Sequence, residues 1–191
     1  MCGIVSYIGH QDPVPILIKG LRRLEYRGYD SAGLALLDGK NLNSVKKAGK
    51  VSDLSDKVSS KSIQGTCGIA HTRWATHGVP NDTNAHPHLD KTGKIALVHN
   101  GIIENYDSIK KTLEGRGVVF KSETDSEVLV QLISELYYKG EGDLDFKDAV
   151  KAALQEVVGA YGIVAICSDE PNTLVAARMG SPLVFGVGDD E

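Results

Sequence analysis

The feature that most constrains this chain is a series of seven short apolar runs, each of strand length. They fall at 3–8, 32–37, 67–72, 94–99, 161–167, 173–177 and 182–187. Helical stripes are fewer and stand partly apart from them. Asp12-Pro13 supplies a cap followed by proline at the first helical position, after which Val14, Leu17, Ile18, Leu21 and Leu24 recur on one face. A second, polar helix at 105–114 turns Tyr106, Ile109 and Leu113 inward and meets Gly115. The third carries the clearest stripe, Val128, Leu129, Leu132, Ile133, Leu136 and Tyr137. The fourth buries Phe146, Val150, Ala153, Leu154, Val157 and Val158 and stops at Gly159. The charged run 57–61 reads as a solvated helix end or loop. Several strand pairs are joined without an intervening helix. The pattern predicts an α+β fold of antiparallel sheets covered by helices, not a βαβ array.

Composition narrows the function. The 191 residues suit one large domain. A hydrophobic share of 41% with 24% charged residues excludes a disordered chain. With 21 basic against 25 acidic residues there is no basic face for nucleic acid. The longest uncharged stretch, 157–168, is too short to span a bilayer, and no signal peptide opens the sequence. Three widely spaced cysteines then read as reduced thiols in a cytosolic protein. Cys67 and Cys167 sit in apolar runs as small buried hydrophobes. The 21 glycines point to many turns, or to backbone packed close to a ligand.

Five segments carry candidate chemistry, and each has a plain structural reading beside the chemical one. Cys2 becomes the first residue once Met1 is removed. A free thiol titrates near about 8.5, and an α-amine near about 7.7–8.0 is well placed to act as its base. Otherwise it is simply a cysteine opening a strand. The segment 71–78 begins where an apolar strand ends. Its Arg73 has the fork that clamps a carboxylate, and Trp74 the bulk to close over a site. The alternative is a surface arginine beside a half-buried tryptophan. Five of the six histidines fall between residues 71 and 99, but their spacing matches no zinc signature, so they read as packed and hydrogen-bonded loop residues with no metal. Asn100-Gly101 reads first as a tight hairpin turn, and the same geometry offers an amide and a backbone N–H to one oxyanion. Thr124 and Glu127 form a capping-box pattern around Asp125, which either favours the helix end or holds an ammonium group. Together these groups describe glutamine: a thiol and two donors for the side-chain amide, Arg73 and Asp125 for the α-amino acid end.

The motifs Met-Cys-Gly-Ile-Val, Leu24-Glu25-Tyr26-Arg27-Gly28-Tyr29-Asp30-Ser31-Ala32-Gly33, the segment 71–78, Asn84-Ala85-His86-Pro87-His88, and the segments 99–106 and 122–128 resemble the class II glutamine amidotransferases. The resemblance covers essentially the whole chain. Tyr26, Tyr29 and Trp74 make it similar to the hexosamine-forming branch. The family implies an N-terminal nucleophile hydrolase fold, a four-layer αββα sandwich. It implies Cys2 as nucleophile with its α-amine as base, and Asn100 and Gly101 as the oxyanion hole. Arg73 and Asp125 then bind the glutamine carboxylate and ammonium. Thr76 and His77 belong to the glutamine loop, Arg27 supports the nucleophile's surroundings, and Trp74 seals the ammonia path. No cofactor is implied. For the full-length enzyme the resemblance implies fructose 6-phosphate as acceptor, bound by sugar-isomerase domains, and a homo-oligomer; sugar-phosphate binding does not carry over to residues 1–191. Two departures stand out. Ser6 replaces a usual glycine, and residues 1–191 stop short of the domain's last strands, which leaves strand edges exposed. Glutaminase activity for another acceptor, or silent glutamine binding, are the competing expectations.

Overall fold

The computed structural model describes residues 2–74, 78–139, 144–189 and 191. Two antiparallel sheets lie at the centre. The first contains β1 (Gly3–Ile8), β2 (Ser31–Asp38), β3 (Asn41–Ala48) and β4 (Cys67–Arg73), in the order β1-β4-β2-β3. The second contains β5 (His88–Leu89), β6 (Ile95–Ile103), β7 (Gly159–Cys167) and β8 (Leu174–Met179), in the order β5-β6-β7-β8. The helices are α1 (Pro13–Leu24), α2 (Val51–Lys61), α3 (Tyr106–Gly115), α4 (Asp125–Lys139) and α5 (Phe146–Gln155), with a 3-10 turn at Glu25–Arg27.

Alternation along the strands builds the layers. Ala35 and Leu37 of β2, with Cys67 and Ile69 of β4, face Ala96, Val98, Val164 and Ile166 of the other sheet. The opposite faces of β2 and β4, Leu34, Leu36 and Ala70, pack on Leu17 and Leu21 of α1 and Val51, Leu54 and Val58 of α2. On the far side Ile95, Leu97, Ile163 and Ala165 pack on Leu129 and Ile133 of α4 and Phe146, Val150 and Ala153 of α5. The result is the expected αββα sandwich. Because both faces of the inner strands are covered, β2 reads as a continuous apolar run instead of an alternating one.

Local chemistry sets the element ends. The Val14 N–H donates to the Asp12 carboxylate at 3.0 Å, so α1 starts as the cap predicted. Helix α2 and strand β3 were not expected. The first exposes most of its polar residues, and its end accounts for the charged run 57–61. The second is a polar edge strand with Val45 as its one buried side chain. Helix α5 stops at Gln155, so Val158 lies outside it and is 55% exposed. The run 182–187 forms no strand. Val184 and Phe185 are 93% and 84% exposed and pair with none of the described strands. An apolar run becomes a strand only where a neighbour accepts its hydrogen bonds. Nor does Asn100-Gly101 form a hairpin turn. Strand β6 continues through it, pairing Gly101 with Tyr161 and Ile103 with Gly159. Gly101 and Gly159, at φ +131 and +137, let the pair of strands distort without separating. No described helix is long and apolar enough to cross a membrane.

Candidate active site

The polar side chains gather at one end of the sandwich. Register puts Gly3 opposite Thr72, so Cys2 stands beside the end of β4, where Arg73 and Trp74 follow. The Gly3 N–H donates to Thr72 Oγ1 at 3.2 Å and fixes that start. The half-buried Cys2 sulfur accepts the Trp74 N–H at 3.2 Å, and its S–H faces the Trp74 carbonyl at 3.8 Å. Trp74 is therefore held to Cys2 by its backbone. Its ring is 49% exposed and meets Tyr29 edge-on at 5.7 Å. A recess of about 500 Å³ lined by Tyr29, Asp30, Trp74, Gly78, Val79 and Pro80 opens there.

Arg73 is buried at the end of β4, opposite Ser31. The loop after Arg27 presses on the same backbone. A Cβ on Gly28 would lie 3.1 Å from the Arg73 carbonyl carbon and the Trp74 nitrogen. Arg27 thus directly precedes the glycine that abuts the backbone segment bonded to Cys2. Thr76 and His77 lie outside the described residues.

The second sheet brings Asn100 to the same place. Its Nδ2 donates to the Cys2 carbonyl at 3.3 Å. The next residue, Gly101, accepts no side chain, because a Cβ there would sit 2.0 Å from the Ala160 carbonyl oxygen. Asp125 opens α4 and is tied to β6 by the Ile103 N–H, which donates to Oδ2 at 2.9 Å. The cap is half of what Thr124 and Glu127 predict. Thr124 Oγ1 accepts the Glu127 N–H at 3.3 Å, but the Glu127 carboxylate reaches back to the N–H groups of Lys121 and Ser122 instead of Thr124.

Sequence reasoning missed a buried histidine network under these groups. His71 lies in β4 and His99 in β6, within the strand runs expected at 67–72 and 94–99, and His88 lies in β5, where a loop residue was expected. The rings of His71 and His86 lie 4.2 Å apart, and those of His86 and His88 4.7 Å apart. Burial holds His71 down at about 3 and pushes His86 and His88 well below the usual imidazole range. His99 is also lowered by burial, against the pull of the Asp125 carboxylate 4.0 Å away. Ser126 Oγ sits 2.8 Å from both His86 Nε2 and His99 Nδ1, and donates to Asp125 Oδ1 at 3.4 Å. One hydroxyl has one proton, so two neutral imidazole N–H groups donate to it while it donates to the carboxylate. The concentration of histidines between residues 71 and 99 was the one visible signal. Among the described residues no His, Cys, Asp and Glu cluster is arranged to hold a metal.

The family described as the glutamine amidotransferase domain matches residues 71–190. The chain is 58% identical over 192 residues to glutamine–fructose-6-phosphate aminotransferase (isomerizing) of Bacteroides thetaiotaomicron, and 56% over 194 residues to that of Chlorobaculum tepidum. Both alignments cover 100% of this chain and 31% of the relative, so the chain spans about a third of the curated relatives it matches. Among solved structures, glutamine phosphoribosylpyrophosphate amidotransferase from B. subtilis aligns with a TM-score of 0.77 at 27% identity, over 93% of this chain and 37% of that one. A structure described as the allosteric regulatory enzyme of purine biosynthesis aligns at 0.79 and 28%, with the same coverage. With a family match over more than half its length, and that fold behind it, this chain belongs to the glutamine amidotransferase domain family.

Proposed function

We propose that residues 1–191 form the glutaminase part of a longer enzyme, with Cys2 as nucleophile. The observation that carries this reading is the convergence on Cys2 of the Trp74 N–H from one sheet and the Asn100 amide from the other. Removal of Met1 frees the Cys2 α-amine, which takes the thiol proton. The thiolate attacks the side-chain amide carbon of glutamine. Asn100 Nδ2 and the Gly101 N–H stabilise the resulting oxyanion. The protonated amine returns its proton to the leaving nitrogen, ammonia departs, and a γ-glutamyl thioester remains on Cys2. Water, deprotonated by the same amine, then attacks the thioester, releasing glutamate and restoring the thiol.

Arg73 binds the α-carboxylate of glutamine through its fork, and Asp125 binds the ammonium. Thr76 and His77 complete the glutamine loop, Arg27 supports the nucleophile, and Trp74 closes the ammonia path. Fructose 6-phosphate is the acceptor in the full-length enzyme, a reading supported by the names of the relatives at 58% and 56% identity. Its binding belongs to sugar-isomerase domains beyond residue 191. The test is release of glutamate from glutamine by protein whose intact mass shows that Met1 is gone. Activity should vanish in Cys2→Ala, and a glutamine-like electrophile should add to Cys2 alone. Unchanged turnover by Cys2→Ala sinks the reading.

A further inference from the structure

Asn100 can serve an oxyanion only if its NH2, and not its carbonyl oxygen, faces the nucleophile. The two ends of an amide have nearly the same shape, so something must choose between them. The choice is made on the side away from Cys2. His71 Nε2 lies 2.8 Å from Asn100 Oδ1 and 3.1 Å from the main-chain carbonyl oxygen of His99. That carbonyl can only accept. Nε2 must therefore carry the proton, and an Nε2–H requires an acceptor from Asn100, which turns Oδ1 toward His71 and Nδ2 toward Cys2. The other ring nitrogen, Nδ1, has no hydrogen-bond partner among the described residues, as suits a nitrogen without a proton. His71 is fully buried in β4 and neutral across the physiological range, so the polarity does not reverse with pH.

We propose that His71 is a positioning residue for glutamine hydrolysis: held in its Nε2–H form by the His99 carbonyl, it fixes the Asn100 amide with its NH2 toward the nucleophile. The inference rests on the oxyanion role given to Asn100 above. His71 touches neither substrate nor the reacting atoms in this scheme. It removes the flipped amide, which would point an oxygen lone pair at the developing negative charge.

Two polar replacements separate positioning from bulk. The amide nitrogen of glutamine falls near the place of Nε2, and that of asparagine near Nδ1. His71→Gln keeps a donor against Asn100 and should hold kcat within about 3-fold, whereas His71→Asn should lower kcat about 10- to 100-fold with KM changed less than about 2-fold. In an Asn100→Ala background His71→Asn should have no further effect on kcat, because the group it positions is gone. Equal kcat for the two His71 variants, or an additive loss in the double variant, overturns the proposal. Unimpaired turnover by Asn100→Ala overturns the oxyanion reading itself, and this proposal with it. Should either His71 variant fail to fold, the unmodified protein still decides. Ring nitrogen shifts of ¹⁵N-histidine should show His71 as the Nε2–H tautomer, and an Nδ1–H tautomer refutes the proposal.

Discussion

The two ends of the inner strands are built from the same layers and behave as opposites. Strand β4 enters at Cys67, packed among Ala35, Leu37, Ile69, Ala96, Val98, Val164 and Ile166. It leaves four to six residues later as His71, Thr72 and Arg73, all buried and polar, against Cys2 and Asn100. Burial pushes the Cys67 thiol up to about 12 and also raises Cys167, so both stay protonated and inert. At the other end the Cys2 sulfur takes a backbone N–H in place of apolar neighbours. Surroundings separate the three thiols, and in the proposed reading the α-amine of Cys2 adds a base that Cys67 and Cys167 lack. Polar groups collect where the partner sheet supplies hydrogen bonds, because a buried polar group left unpaired costs about 1–3 kcal/mol.

The same substitution at each end should break this contrast if it is wrong. Cys2→Ser should lower glutamate release by about 10⁴-fold or more and leave the urea midpoint in place. Cys67→Ser should do the reverse, costing about 1–3 kcal/mol for a hydroxyl in an apolar layer while the folded fraction keeps its kcat. Loss of turnover in well-folded Cys67→Ser would show that the ends are not independent. The next effect in size contrasts two glycines of positive φ, Gly101 near the end of β6 and Gly93 in the turn before it. Gly101→Ala meets the Ala160 carbonyl at 2.0 Å and should lower kcat about 10²- to 10³-fold through the displaced oxyanion donor. Gly93→Ala, at φ +73 with open space around it, should cost about 1 kcal/mol of stability and no activity. Smaller again, Arg73→Lys keeps the charge but loses the fork, so KM for glutamine should rise about 10- to 100-fold with kcat nearly unchanged. A kcat defect at constant KM would remove Arg73 from carboxylate binding.

How much of this could be read from the sequence differs between the same two ends. The apolar layers announce themselves: the stripes of α1 and α4 and the runs of β2, β4, β6 and β7 have periods that burial imposes. Strand β3 escaped because an edge strand needs one covered residue, Val45, and the rest of its sequence looks like a loop. The run 182–187 deceived for the converse reason, since its apolar residues have no described strand to pair with. At the polar end, Cys2, Arg73, Asn100, Gly101 and Asp125 stand in motifs whose residue types suggest their chemistry. The direction of the Asn100 amide does not. It depends on a carbonyl of β6 meeting a ring of β4, a contact between sheets that no spacing in the chain encodes.

The contrast also predicts that burial at the two ends contributes to the pH dependence of stability with opposite signs. His71, His86, His88 and His99 all lie below the ordinary imidazole value of about 6.5 when folded. Below that pH the unfolded chain binds protons that the folded chain does not, so stability is complete above about 6.5 and falls as the solution is acidified. Each such histidine contributes up to about 1.4 kcal/mol per pH unit. Cys67 is raised when folded, so its sign is reversed. Above about 8.5 the unfolded chain releases a proton that the folded chain keeps, and stability declines as pH rises. Urea midpoints should therefore fall on the acid side of about pH 6.5. On the alkaline side the Cys67 loss is opposed by Lys46, which burial lowers to about 8 when folded, so that above that pH the unfolded chain holds a proton the folded chain has released. His88→Gln should make the acid side shallower and leave the alkaline side alone, and Cys67→Ala should raise the midpoint at about pH 10 relative to that at about 8.5, before the raised tyrosines Tyr137 and Tyr138 enter. A midpoint that stays level from pH 7.5 down to 5 would mean that the histidines at the polar end are not held neutral, and the electrostatic half of the comparison would be lost.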